Sequence, residues 1–179
     1  MVNRIEIHTE RLLLRPFRTD DVADALLYRN DAEFARFLPH IPQPFTKRDA
    51  EAFVALNMAE PWDRTPTFAV TLNRKVIGTV NLDVDVDSAT AMLGYAIGRT
   101  WWGQGIATEA ARAAIAWGGE TFQLARIWAS TDTRNVKSQR VLEKLGMRQE
   151  SLKVCKHVGR EGELVYEVVY GLTRNAIAP

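Results

Sequence analysis

Only one cysteine, Cys155, occurs in 179 residues, which excludes an internal disulfide and a cysteine-based metal cluster. That scarcity suits a reducing compartment, so the cytoplasm is the expected location. Long apolar runs are also missing: no stretch approaches the ~18 residues that suggest a membrane span. The first seventeen residues carry charges at Arg4, Glu6, Glu10, Arg11 and Arg15 and show no export signal or anchor. Charge of one sign is absent as well. With 23 Lys+Arg against 22 Asp+Glu the net charge is +1, which argues against a partner held through its phosphate backbone, so nucleic acid is not expected. No internal repeat, low-complexity tract or linker divides the chain, and a single domain over 1–179 follows. A composition of 46% hydrophobic and 25% charged residues is that of a soluble globular domain with one sizeable core.

The pattern of residues predicts a strand over 10–17, stopped by Pro16, and then a helix from an N-cap at Thr19 that fades near Asn30. Three prolines break 39–44, and Thr46 with Asp49 reads as a capping arrangement for a helix over 46–59. Alternation then predicts a hairpin over 67–86 that turns at 73–75, and a further strand over 89–98. After a glycine-rich turn at 102–105 an alanine-rich helix extends through Trp117, followed by a strand over 125–130. A helix over 135–145 stops at Gly146, and strands over 147–157 and 163–172 finish the chain. Hairpins dominate over strand–helix alternation, so the expected class is α+β, with a mixed, mostly antiparallel central sheet flanked by about four helices.

The turn after the 89–98 strand reads Trp102-Gly103-Gln104-Gly105-Ile106-Ala107-Thr108. A strand that enters a turn with glycines two apart and leaves into a helix presents several backbone N–H groups at the positive end of that helix. Such a turn cradles an anion, and the glycines keep side chains out of its way. Glycine spacing by itself is equally compatible with a plain strand-to-helix turn. Thr108 stands where a dinucleotide-binding turn needs its third glycine, and no Gly-x4-Gly-Lys-Ser/Thr string occurs, so neither a Rossmann site nor a P-loop is present.

The string from Trp102 to Ala107, followed by Asn135-Val136-Lys137-Ser138 and then Leu142-Glu143-Lys144-Leu145-Gly146-Met147, resembles the acetyl-CoA signature of the GCN5-related N-acetyltransferases (GNAT). The opening Thr9-Glu10-Arg11-Leu12-Leu13-Leu14-Arg15-Pro16 is similar to the start of their RimJ/RimL branch, the ribosomal-protein N-terminal acetyltransferases. The likeness covers about residues 8–173. It implies a sheet splayed at the acetyl-CoA site, with the pyrophosphate on the amides of Gln104, Gly105, Ile106, Ala107 and Thr108, in a turn that includes Trp102 and Gly103. The family's usual Arg or Gln at the first position of the turn is Trp102 here, so binding rests on the main chain. The pantetheine arm is expected along the strand edge at Ile97, with Asn135 bonding it. Asn135 is equally suited to cap the helix it begins.

Ser138 matches the position that faces the thioester sulfur. Many relatives place an acidic tyrosine four residues later, where this chain has Leu142, so Ser138 becomes the candidate to protonate the leaving thiolate. The family's basic glutamate falls at Met92. Asp83 and Asp85 share one strand face, where they accept a proton or hold an ammonium group, or are simply solvated. His157 and Glu163, further candidates for the base, flank the final hairpin, where this branch closes its substrate pocket, and a histidine titrates near neutrality. A main-chain N–H near Ala96 or Ile97 is expected to stabilise the oxyanion. Trp101, Trp117 and Trp128 read as core or cleft walls, Cys155 as packing, and Glu109 as a complement to the helix dipole. The resemblance thus implies an enzyme that moves acetyl from acetyl-CoA to an amine by direct attack, with no metal. The preferred acceptor is a protein N-terminus, because a free α-amine with pKa of ~7.7–8.0 needs little help from a base. Polyamines or aminoglycosides, and a non-catalytic acyl-CoA sensor, are the alternatives. A homodimer is compatible with the same reading.

Overall fold

A computed structural model describes residues 2–158 and 162–177, with side chains for all of these except 153–158, 176 and 177. Among the described residues there are eight strands: β1 (Ile7–His8), β2 (Leu13–Arg15), β3 (Thr67–Leu72), β4 (Lys75–Asp85), β5 (Thr90–Ile97), β6 (Arg126–Asp132), β7 (Arg148–Val158) and β8 (Leu164–Thr173). The helices are α1 (Val22–Arg29), α2 (Ala32–Ala35), α3 (Lys47–Ala59), α4 (Ile106–Phe122), α5 (Val136–Lys144) and α6 (Arg174–Ile177). The strands form one sheet in the order β1-β2-β3-β4-β5-β6-β8-β7. Every neighbouring pair is antiparallel except β5 with β6. This is the expected α+β sheet, and α1, α3, α4 and α5 are the four expected helices. The two-residue β1 and the single-turn α2 and α6 are additions too short for periodicity to reveal.

Three boundaries differ from the sequence pattern for local reasons. Only Leu13–Arg15 of the 10–17 segment is strand, because Thr9 folds back on Leu12 through an N–H bond of 3.0 Å to its carbonyl, and Pro16 has no N–H to give. Thr19 does not cap α1. It opens a 3₁₀ turn, and the Asp21 carboxylate takes the Arg18 N–H at 2.8 Å instead. The same carboxylate binds the buried Arg15 guanidinium through two bonds of 2.8 and 2.6 Å. Finally, α4 runs on past Trp117 to Phe122, through Gly118 and Gly119. Gly118 is where the helix touches the sheet, and a Cβ there would run into Leu82 Cδ1. At α3 the pattern holds: Thr46 and Asp49 form a capping box, with the Thr46 N–H 2.8 Å from the Asp49 carboxylate.

The sheet divides two apolar layers. One face packs Val80, Leu82, Leu93, Ile127 and Ala129 against the alanine side of α4 at Ala110, Ala111 and Ala114. Trp117 belongs to this layer, edge-on to Phe68 at 5.2 Å and to Phe122 at 5.6 Å, so it is core as expected. The other layer gathers Phe17, Ala25, Phe34, Phe45 and Val54 from α1, α2, α3 and their connections over Ala69 and Val76. Trp101 touches both layers. The glycine turn before α4 and the helix α5 therefore lie on the α4 side, and α1 to α3 cover the reverse.

Candidate active site

Strands β5 and β6 pair at only three positions, Thr90 with Arg126, Ala91 with Ile127 and Met92 with Trp128. Beyond these, β5 continues along β4 as far as Ile97 and β6 continues along β8 as far as Asp132, so the two part and leave a gap. The Gly98 N–H bonds the Ile77 carbonyl at 2.8 Å. Antiparallel alternation counted from that bond puts the main-chain groups of Ala96 into the β4 ladder and turns those of Tyr95 and Ile97 to the gap. Of the two oxyanion candidates, Ile97 thus presents its N–H and Ala96 does not. The Ile97 carbonyl is taken, at 2.6 Å, by the indole N–H of Trp102.

The glycine turn leads from the gap to the start of α4. Gly103 and Gly105 have φ of +75° and +78°, in the left-handed region that favours glycine. Gly105 is the N-cap of α4 and offers no side-chain cap. The first amide of α4 to reach its helical acceptor is that of Glu109, 3.0 Å from the Gly105 carbonyl, so Ile106, Ala107 and Thr108 direct theirs outward. A Cβ on Gly103 would meet nothing within 4 Å, and one on Gly105 only Arg11 Nη2 at 3.6 Å. The space over the turn is open, and any side chain there would fill it. These are the features a pyrophosphate needs, and acetyl-CoA fits the residues present. Gln104 spends its side chain on the Thr100 carbonyl at 3.1 Å. Trp102 offers no ligand to an anion, but Lys137 Nζ lies 4.5 Å from its ring centroid, which brings a cation to the turn.

Glu109 is structural, as read from its place in the first turn of α4. Its carboxylate accepts from Thr9 Oγ1 at 2.6 Å, the Arg11 N–H at 2.9 Å and Arg11 Nε at 2.7 Å, tying the N-terminal segment to α4. Burial pushes its pKa up, but the hydrogen bonds from Thr9 and Arg11 outweigh this and hold it below the usual range. A depressed carboxyl stabilises the fold above its unfolded pKa and loses that contribution as pH falls through the folded one. The melting-temperature deficit of Glu109→Gln is therefore expected to be widest near neutrality and to close in melts taken well below pH ~4.

Asn135 caps α5, its side-chain oxygen accepting the Ser138 N–H at 3.1 Å. Its amide NH2 makes no bond among the described residues, which leaves two donors for a ligand carbonyl. Ser138 sits one turn in, half-buried, and meets Tyr95 of β5: the phenolic oxygen is 2.8 Å from Ser138 Oγ and 3.1 Å from its carbonyl. Burial pushes the Tyr95 pKa up to about 12, with the bond to Ser138 acting in the opposite direction. Leu142, at the family's tyrosine position, is buried in the core beneath α5. Sequence reasoning passed over Tyr95. The signal was available in the period-2 alternation that places it on the face of Leu93 and Ile97, towards α5.

The reverse face carries carboxylates. Asp83 pairs with Met92, Met92 with Trp128, and, four residues further along β6, Asp132 pairs with Glu167 of β8. Directly paired residues share a face, so these side chains all stand opposite the α4 layer. Asp83 is exposed, whereas Asp132 is buried. Asp85 is spent on its own turn, accepting the N–H groups of Asp87 at 3.1 Å and Ser88 at 3.3 Å. Sequence reasoning also missed Arg134, which bonds Asp132 at 2.6 Å and Glu163 at 2.9 Å and so links the end of β6 to the start of β8. The side chains of His157 and Cys155 lie outside the described residues. Among the described residues no group of three or more His, Cys, Asp or Glu is placed to hold a metal, and no helix is long and apolar enough to cross a membrane.

This geometry agrees with likenesses of three kinds. A family model described as an acetyltransferase (GNAT) domain matches residues 11–148. The chain is 32% identical over 160 residues to "Uncharacterized N-acetyltransferase YnaD" of Bacillus subtilis, covering 88% of this chain and 91% of that one. Among solved structures, the acetyltransferase (GNAT family) from Bacillus anthracis superposes with a TM-score of 0.83 at 28% identity, over 96% of this chain and 99% of that one. A Vibrio cholerae structure described as a "putative ribosomal-protein-serine acetyltransferase" does so with a TM-score of 0.78 at 26% identity, over 97% and 99%. The chain belongs to the GNAT acetyltransferase family.

Proposed function

We propose that this N-acetyltransferase acetylates the N-terminal α-amine of a protein of the ribosomal type. Acetyl-CoA supplies the acetyl thioester. The amides of Gln104 to Thr108 would hold its pyrophosphate, with Trp102 and Gly103 shaping the turn, and Asn135 and the Ile97 edge would hold its pantetheine arm. Neutral amine attacks the thioester carbonyl from the carboxylate-bearing face, the Ile97 N–H steadies the oxyanion, and Ser138 meets the sulfur as the carbon–sulfur bond breaks. Asp83 is the carboxylate paired beside Met92, where it would attract the amine and take the proton that the attacking nitrogen sheds.

The observation that carries the acceptor class is the end-to-end likeness to the Vibrio cholerae relative, whose description names a ribosomal-protein serine. A residue-level argument supports it. Met92 leaves the family's basic position without a carboxylate, which suits an amine already partly neutral at pH 7 rather than a lysine near ~10.4.

Mass spectrometry of acetyl transfer to peptides with free Ser, Ala and Asp N-termini and internal lysines, with polyamines and aminoglycosides alongside, tests this reading. Acetylation is expected on peptide α-amines, Ser first. Product confined to small amines would move the function to metabolite acetylation, and cofactor binding with no product in any arm would favour an acyl-CoA sensor.

A further inference from the structure

The phenol that meets Ser138 comes from an unexpected strand. Position 142, one turn along α5, is occupied by a leucine committed to the core, so α5 itself cannot bring a tyrosine to the sulfur. Tyr95 reaches the same serine across the gap, from 43 residues away in sequence. We infer that Tyr95 is a positioning residue that orients the Ser138 hydroxyl so that its hydrogen points at the leaving sulfur. The inference rests on the role given to Ser138 above.

The hydrogen-bond inventory defines two arrangements. In one, Ser138 Oγ–H donates to the phenolic oxygen while the phenol donates to the Ser138 carbonyl, using the contacts of 2.8 and 3.1 Å together. Both hydrogens are then spent inside the pair. In the other, the phenol donates to Ser138 Oγ, and the serine hydrogen is free for a partner in the gap. That carbonyl already lies within the hydrogen-bonded ladder of α5, so giving up the phenol leaves it paired. A sulfur that gains negative charge draws the serine hydrogen towards it, and the Tyr95 donor then polarises Oγ from behind.

The step balances without ionising the phenol. The amine nitrogen bonds the acetyl carbon, the carbon–sulfur electron pair leaves on sulfur, and the amine's proton is lost on the carboxylate face. The thiolate accepts a hydrogen bond from Ser138, and its final proton comes from water. Tyr95 never has to give up its proton, in keeping with a phenol held far from ionisation near neutral pH. Its effect is therefore on kcat and adds no limb to the pH–rate profile.

The test is a double-mutant cycle on the intact protein with acetyl-CoA and the best acceptor. Tyr95→Phe keeps the ring and removes only the hydroxyl. It is expected to lower kcat about tenfold, leaving KM for acetyl-CoA and both pH limbs unchanged. In a Ser138→Ala background the same change is expected to cost nothing further, because the group it acts through is gone. An equal loss in both backgrounds, or a loss seen in KM rather than kcat, overturns the positioning role. A Ser138→Ala variant with full kcat would instead overturn the role of Ser138 in the reaction. Circular dichroism melts of each variant separate either result from misfolding.

Discussion

Gly105→Glu is expected to weaken acetyl-CoA binding by at least about 100-fold, or about 2.7 kcal/mol. Two effects act together at this one position. The residue holds φ of +78°, where an L side chain costs about 1–2 kcal/mol, and its Cβ would enter the space above the open amides of α4. A carboxylate there also opposes the negative charge the turn is built to receive, and like charges brought together in a site cost several kcal/mol. Isothermal titration with acetyl-CoA measures the loss. Gly105→Ala separates the contributions, since it keeps the backbone strain with little bulk and no charge, and should fall between the wild type and the glutamate variant. Unchanged affinity in Gly105→Glu would show that the pyrophosphate does not lie on this turn.

The largest effect on stability is expected far from the cofactor, at Asp21. Removing one partner of a buried ion pair leaves the other uncompensated, so Asp21→Ala should destabilise the fold by about 3–5 kcal/mol in urea unfolding. The hydrogen bonds that Arg15 donates to Asp21 raise its pKa above the ordinary value, against the effect of burial. Asp21→Ala leaves the buried guanidinium with the Pro16 carbonyl at 2.9 Å but no opposite charge, and an arginine does not escape by losing its proton. The same carboxylate caps the turn into α1 through the Arg18 N–H, so the entry to the helix is lost as well. Replacing both partners, in Arg15→Met/Asp21→Leu, removes the charge with its partner and should recover most of the loss. A single variant as stable as the wild type would mean that water reaches Arg15.

The glycine turn and the start of α5 were legible in the sequence because their demands fall on neighbouring residues. Gly103 and Gly105 announce backbone conformations, Asn135 and Ser138 sit within one turn of a helix, and the strand–turn–helix order around them is continuous in the chain. The groups that meet only through the register of the sheet were not legible. Nothing near Arg134 in sequence points to Glu163, and Tyr95 looks like one more strand aromatic until β5 and α5 are set beside each other. Thr19 shows a subtler failure. It is a good N-cap by type, but Asp21 is drawn back onto the Arg18 N–H by its pairing with Arg15, and a tertiary contact decides how the helix starts.

Three residue pairs between β5 and β6, with the Ala125 N–H on the Ala89 carbonyl at 2.7 Å just before them, join the β1–β5 meander to the β6–β8 hairpin array as one sheet. A pantetheine arm laid along that gap, as proposed, would stand in for the rungs the polypeptide leaves out, as a guest strand made of cofactor. Binding free energy then becomes folding free energy: with free ligand at 100 times its Kd, the native state gains about 2.7 kcal/mol. How long a molecule of this enzyme survives unfolding and proteolysis would thus follow the supply of acetyl-CoA around it, tying the enzyme's abundance to the metabolite it consumes.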